Sequence, residues 1–277
     1  MASPPRLVSV VVTTYNWPAA LDRVLDSLST QTWPAFEVIV ADDGSGPDTK
    51  AVIDGWKGRF PRALRHAWQP DLGFRAARVR NLGAASATGD YLVFIDGDCL
   101  CLPRFVEAHA EVAEKGWFST GRRAQVRKGI TAEILARQLT PYRLPRWRLF
   151  LESPRWLQTR YWQLLRLPFM EQTRRTSHVA DVHKAESCNL AVWARDFAAV
   201  GGFDERFHGF GCEDVDLCLR LIRYGLKRQS LEHLEPVLHL FHGRKPVIDQ
   251  TLAMLEETRS DTARTMALES MFAEQQA

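Results

Sequence analysis

Leu7 to Val12 (LVSVVV) is a short apolar run rich in β-branched residues, and it reads as a buried strand. A polar turn, Thr13 to Asn16, follows it. From Ala19 to Gln31 the apolar positions Leu21, Val24, Leu25 and Leu28 recur at three and four residues, which predicts an amphipathic helix. Phe36 to Ala41 predicts a second strand, closed by Asp42-Asp43-Gly44-Ser45-Gly46. A helix fits 48–58, a short strand Leu64 to Trp68, and a helix with a small-residue face Arg75 to Ala87. Tyr91 to Ile95 predicts a third clear strand ending at Asp96-Gly97-Asp98, and Pro103 to Lys115 a helix with proline in its first turn. Such alternation implies an α/β domain with a largely parallel sheet. Ligands gather at the carboxyl ends of such strands, where the polar clusters 13–16, 42–45 and 96–98 all fall.

The alternation stops between Arg122 and Arg175, a stretch rich in Arg, Trp, Leu and Pro. It reads as a helical insertion broken at Pro141, Pro145, Pro154 and Pro168. Beyond it, Ser187 to Trp193 predicts a strand, Arg195 to Val200 a short helix, and Gly201 to Asp204 a turn. Glu213 to Tyr224 predicts a helix, Glu235 to Phe241 a last strand, and Ile248 to Gln275 a long polar helix or tail. The organisation expected is one domain over 1–277. Within it, 6–118 is a first α/β half, 122–175 a basic Trp- and Arg-rich helical insertion, 184–245 a second half and 248–277 a C-terminal helix or tail.

Composition adds little until it is divided. Lys plus Arg number 36 and Asp plus Glu 33, a net +3 with 45% hydrophobic residues, which argues against disorder, collagen and coiled coil. Yet Arg122 to Arg175 holds 13 basic residues against Glu133, Glu152 and Glu171; this segment is +10 and the remainder -7. No apolar run approaches the ~20 residues of a membrane span. Met1 to Arg6 shows no apolar core of a secretory signal, and the five cysteines show no CxxC spacing. These features together suggest a reduced, cytoplasmic chain.

Four constellations could carry chemistry. Asp96-Gly97-Asp98 places two carboxylates at a strand end, hard ligands suited to Mg²⁺ or Mn²⁺, or else a polar turn capping the next helix. Gly209-Phe-Gly-Cys-Glu213-Asp214 bends the chain before two acids at a helix start, one of which could be a general base; the simpler role is dipole complementarity. His239-Leu-Phe-His242 offers imidazoles suited to Mn²⁺, or structural histidines. Asp42-Asp43 could accept from a uracil N–H or a ribose hydroxyl, or form an Asx-type turn. Arg75, Arg78 and Arg80 could meet phosphates, and Arg80-Asn81 could equally be a surface helix face.

Together these motifs resemble the family 2 glycosyltransferases with the GT-A fold. The matching stretches are Val8 to Asn16, Val38 to Ser45, Arg80 to Ala84 and Gly89 to Asp98. Gly201 to Glu205 and Gly209 to Asp214 are similar to the acceptor region of galactosyl-, N-acetylgalactosaminyl- and chondroitin-type transferases. The resemblance covers roughly 6–118 and 184–245, and implies that these are the nucleotide-sugar-binding and acceptor-binding halves. It implies an inverting transfer from a UDP-sugar to a hydroxyl of a glycan or glycolipid. By the same resemblance Thr13 and Asp43 contact uridine, with Tyr15 beside base or ribose and Asp42 the lesser of the two acids. Arg78 belongs to the same nucleotide-sugar site. Asp96 is the ribose- or metal-side acid, Asp98 the direct metal ligand, and His242 completes the metal shell with His239 in reserve. Asp214 is the base, Glu213 holds acceptor hydroxyls, and Gly209 and Gly211 form a flexible acceptor loop. The implied cofactor is Mn²⁺ or Mg²⁺, and the setting is cell-surface polysaccharide or lipopolysaccharide synthesis.

Competing classes fit less well. A sugar nucleotidyltransferase needs a glycine-rich loop after the first strand, and Thr13 to Pro18 has no glycine; a dinucleotide oxidoreductase fails likewise. A non-catalytic sugar-binding module would not need all three acidic and histidine motifs. In the insertion, Trp147, Trp156 and Trp162 interleave with Arg143, Arg146, Arg148, Arg155, Arg160 and Arg166. That pattern suits an anionic membrane surface, hence peripheral attachment at the inner face of the cell membrane. It suits equally a helical subdomain with buried Trp and solvated Arg. No nucleic-acid partner is expected.

Overall fold

The computed structural model describes residues 4–158, 164, 182, 185–231, 234–243 and 246–273. Arg160, Trp162, Arg166 and Pro168 lie outside the described residues. The strands β1 (Val8–Thr14), β2 (Phe36–Asp42), β3 (Leu64–Trp68) and β4 (Tyr91–Asp96) form the parallel half of a seven-stranded sheet. Strands β5 (Cys99–Leu100), β6 (Trp117–Thr120), β7 (Arg123–Gln125), β8 (Leu190–Trp193), β9 (Lys227–Ser230) and β10 (Val237–His239) follow in the chain. The main sheet runs β3-β2-β1-β4-β8-β6-β9, and only β8 is reversed. A small sheet, β5-β10-β7, lies apart from it in the hydrogen-bond order.

Strand β1 is buried on both faces, and its alternation sorts its side chains. Val8, Val10 and Val12 join one core with Leu21, Val24, Leu25 and Leu28 of α1 (Pro18–Ser29). Val11 points into the other core with Ala77 and Val79 of α3 (Ala76–Ala85). Strand β4 repeats this, with Tyr91, Val93 and Ile95 on one side and Leu92 and Phe94 on the other. Each such valine, fully buried, contributes roughly 1.5–3 kcal/mol. The small face of α3 has a steric cause: a Cβ on Gly83 would lie 2.6 Å from Val11 Cγ1 and 2.9 Å from the Ala41 Cβ. The helix α2 (Pro47–Lys57) fits the expected span.

Several expectations from the chain are corrected. The insertion is not helical throughout: Arg123–Gln125 pairs in parallel with β10. Pro154 does not break a helix but sits inside α6 (Arg146–Trp156), which follows α4 (Phe105–Val112) and α5 (Lys128–Leu135). Strands β5, β6, β7 and β9 have two to four residues each, too few for a periodic signal, and KRQS in β9 is polar. Ser187–Asn189 is a 3-10 turn, so β8 begins only at Leu190. After α7 (Ala194–Ala199) and α8 (Glu213–Arg223), the last helix, α9 (Asp249–Ser260), is short. The chain then returns to the Gly201 turn, with Leu268 N–H donating to Asp204 and Met271 N–H to Glu205.

The basic excess is partly neutralised across the fold. Arg137 pairs with Asp22 at 2.7 Å, Arg143 with Asp26 at 2.6 Å, and Arg146 with Glu235. The insertion is thus clamped to α1 by the acids of that helix. Of its tryptophans, Trp156 is buried and Trp147 is exposed, so the buried-Trp alternative holds for one and fails for the other.

Candidate active site

Parallel register brings three strand ends together. Thr13 lies beside Asp96 in the β1–β4 ladder, and Thr14 beside Asp42 in the β1–β2 ladder. Gly97 N–H donates to the Thr13 carbonyl at 2.7 Å, and Asp43 N–H to that of Thr14 at 3.0 Å. The Thr13 hydroxyl is buried with no protein partner, an orphaned polar atom that a ligand could satisfy.

The two adjacent acids diverge. Asp42 is fully buried, accepting from Ser45 N–H at 2.8 Å and meeting His66 at 2.9 Å, so both oxygens are engaged inside the protein and the turn-forming alternative describes it. Burial raises its carboxyl, but His66 and Ser45 outweigh that and hold it low. Asp43 accepts from Gln69 at 2.6 Å and from Arg75 N–H at 2.9 Å. For Asp43 burial wins and its carboxyl is raised. Arg78 donates to Gln69 at 3.0 Å and pairs with Glu205 at 3.5 Å, so it backs Asp43 through Gln69. Tyr15 is exposed and donates to Asp71 at 2.8 Å.

A metal-ready cluster gathers around Asp98. Its Oδ2 lies 3.2 Å from His242 Nε2 and 3.6 Å from His239 Nε2. Two strands set this up: His239 pairs opposite Cys99 in the small sheet, and Leu240 N–H donates to the Asp98 carbonyl at 2.9 Å. Burial raises the Asp98 carboxyl, but the His242 hydrogen bond and both imidazoles outweigh it and the net shift is down. Burial lowers His239, favouring the neutral ligand form, and its Nδ1 is a buried atom without a partner. One carboxylate and two imidazoles form a donor set that could hold a divalent cation such as Mn²⁺.

Glu213 and Asp214 stand at the N-terminus of α8. The chain enters that helix through left-handed conformations at Gly209 (φ 94°), Gly211 (φ 105°) and Cys212 (φ 75°). A Cβ on Gly209 would lie 2.4 Å from Ile248, and one on Gly211 3.0 Å from Val247. Close packing and positive φ both require glycine here. Asp214 accepts from Ser187 N–H at 3.1 Å and Val215 N–H at 2.8 Å. Burial, reinforced by the Glu213 charge, raises its carboxyl to about 7, the range of a working general base.

Arg80 unites these clusters, and its environment answers the surface-face alternative. It is 4% exposed. It donates to Glu213 at 2.8 Å and to Asp96 at 3.1 Å, bridging residues 117 apart in sequence. Burial opposes its charge, but the two carboxylates outweigh that and keep it protonated. Neighbouring Asn81 bonds the Phe203 backbone in both directions, at 2.8 and 2.9 Å. The signal available in the chain was an Arg-Asn pair inside an otherwise small-residue helix. Gln69, Asp71 and Ser187 had no such signal.

Residues 9–178 match glycosyl transferase family 2, and residues 172–243 match the N-terminal domain of galactosyltransferase. The chain belongs to glycosyltransferase family 2. Among its relatives is the validoxylamine A glucosyltransferase of Streptomyces hygroscopicus subsp. jinggangensis, 35% identical over 79% of this chain and 52% of that protein. Another is the hyaluronan synthase of Pasteurella multocida, 31% identical over 83% of this chain and 24% of the synthase. The chain thus spans about half the length, or less, of these relatives. Staphylococcus aureus TarS 1–349 in complex with UDP-GlcNAc superposes with a TM-score of 0.62 at 13% identity, over 92% of this chain and 67% of that one. The mannosyltransferase PcManGT from Pyrobaculum calidifontis, in complex with GDP-Man and Mn²⁺, gives 0.56 at 18%, over 93% and 61%. These likenesses agree with the family 2 assignment in giving the GT-A fold. Among the described residues, no helix is long and apolar enough to cross a membrane.

Proposed function

We propose that the chain transfers a sugar from a UDP-sugar to a hydroxyl of a glycan or glycolipid, with inversion and with a divalent metal. One observation carries this reading. Arg80 ties Asp96 of the donor-side motif to Glu213, beside an Asp214 whose carboxyl is raised to about 7. A binding module has no need of a raised carboxyl beside a donor site. Asp214 takes the proton of an acceptor hydroxyl as that oxygen bonds the anomeric carbon. The anomeric carbon–oxygen bond to UDP breaks on the opposite face, so configuration inverts. Glu213 faces acceptor hydroxyls with the oxygen Arg80 leaves free. Thr13, Tyr15 and Asp43 hold the nucleoside. Asp98, His239 and His242, with Asp96 alongside, would hold Mn²⁺ or Mg²⁺, which when bound supplies positive charge for the diphosphate. The UDP-GlcNAc bound to TarS supports a UDP-sugar as the donor.

A cell-surface polysaccharide or lipopolysaccharide acceptor fits one further observation. Trp147 and Leu151, 66% and 67% exposed, stand one helical turn apart on α6, with exposed Arg148 and Arg155 beside them. An apolar pair flanked by guanidinium groups suits peripheral attachment to an anionic membrane face. Release of UDP from a panel of UDP-sugars, with and without acceptors and Mn²⁺, tests the function. Asp98→Ala should nearly abolish release, and Asp214→Asn should lower it by about 100- to 10,000-fold. Wild-type turnover by either variant would remove the role assigned to that residue. Absence of turnover with every nucleotide sugar, despite tight UDP binding, would favour the binding module.

A further inference from the structure

Two buried thiols lie directly behind the donor-side acids and have no part in the proposed transfer. Cys99 follows Asp98 in β5, and Cys188 sits in the turn before β8; both are essentially inaccessible. The carboxylate of Asp96 and the sulfurs of Cys99 and Cys188 all lie within 4.8 Å of one another. The carboxylate of Asp98, the Cys99 sulfur and an imidazole nitrogen of His239 meet the same limit. Cys99 belongs to both triads, and its sulfur is 3.5 Å from Asp98 Oδ1. Thiolate, imidazole and carboxylate oxygen are the ligand set of Zn²⁺, whose bonds run about 2.0–2.3 Å. Ligand atoms of a tetrahedral site with such bonds stand about 3.5 Å apart. The observed spread therefore closes on an ion with small side-chain movements.

We propose that Cys99 and Cys188, with Asp96, form a soft-metal site fused to the hard-ligand cluster at Asp98. Zn²⁺ binds there through sulfur, and each thiol loses its proton to solvent as its sulfur–metal bond forms. The hard ions Mn²⁺ and Mg²⁺ prefer oxygen and imidazole and gain little from the sulfurs. Zn²⁺ therefore occupies the pocket in a shifted position, drawing Asp96 from Arg80 and displacing the catalytic ion. That consequence for activity rests on the metal-dependent reading above; the binding itself does not.

The test uses the full chain, kept reduced, with Co²⁺ as a spectroscopic stand-in for Zn²⁺. Stoichiometric Co²⁺ should give the near-ultraviolet thiolate-to-cobalt charge-transfer band, and added Zn²⁺ should bleach it. Cys188→Ser should weaken the band and raise the Zn²⁺ concentration needed to bleach it by at least about 10-fold, no less than loss of an outer-shell partner costs. The same variant should keep Mn²⁺-supported UDP release while becoming less sensitive to Zn²⁺. Cys212→Ser, outside both triads, should leave the cobalt band and its bleaching by Zn²⁺ unchanged. A folded wild-type chain with no thiolate band, or an undiminished band in Cys188→Ser, would overturn the site. UDP release independent of Mn²⁺, with the cobalt band intact, would instead overturn the metal-dependent transfer and leave the thiol site standing.

Discussion

Arg80→Met tests whether one guanidinium joins the donor and acceptor halves. The variant keeps much of the side chain's length and apolar stem but leaves Asp96 and Glu213 without their shared cation. Removing one partner of a buried ion pair costs about 3–5 kcal/mol. Glu213 is nearly buried, whereas the Asp96 side chain is 27% exposed and water relieves part of its loss. The lower end, about 3 kcal/mol, is therefore expected. At roughly 2–4 °C per kcal/mol for a chain near this size, melting should fall by roughly 6–12 °C. A second readout is independent of stability. The Arg80 charge holds the Asp214 carboxyl down against burial and Glu213. Without it, the pH at which UDP release reaches half its plateau should move to the alkaline side. Arg80→Lys should restore only part of either property, because one ammonium cannot reproduce a planar two-sided fork. Adding Glu213→Gln to Arg80→Met should recover stability by removing one uncompensated charge. Melting within about 2 °C of wild type, together with an unmoved pH profile, would refute the bridging role.

Other outcomes follow from single contacts. Asp214 acts as a base only when deprotonated, so UDP release should fall as pH drops through about 7, measured at saturating donor and metal. Its raised carboxyl also favours the protonated native state, so Asp214's contribution to stability is present at low pH and is lost as pH rises through about 7. Gly44→Ala forces a side chain onto φ 92° and places its Cβ 2.4 Å from the Asp71 backbone nitrogen. It should destabilise by more than about 1 kcal/mol and raise the KM for the UDP-sugar, because Asp71 is what Tyr15 holds. Trp147→Ser with Leu151→Ser should abolish flotation with anionic vesicles at low salt and leave UDP release from a soluble acceptor intact; equal flotation by both proteins would refute attachment through α6.

The α/β alternation could be read along the chain because its central strands are continuous apolar runs. LVSVVV and YLVFI can only be buried on both faces, and each ends at a polar cluster. The DxD, acidic-pair and HxxH spacings likewise carried the glycosyltransferase reading before any coordinate. Short polar strands such as KRQS were hidden, since two to four residues show no period and their pairing is decided by neighbours far away in the chain.

Local order could place Asp96, Asp98, His239, His242, Glu213 and Asp214 on particular turns, but not say which side chains meet. Asp42 and Asp43 are equivalent in sequence; only the positions of His66, Ser45, Gln69 and Arg75 separate their roles. Net charge behaved the same way. A +10 segment against a -7 remainder suggested a basic face, yet Asp22, Asp26 and Glu235 draw three of its arginines into ion pairs. Burial and long-range pairing depend on distances through space. They turned Arg80 from a candidate surface residue into the link between the two halves, because a buried guanidinium is stable only where carboxylates already wait for it.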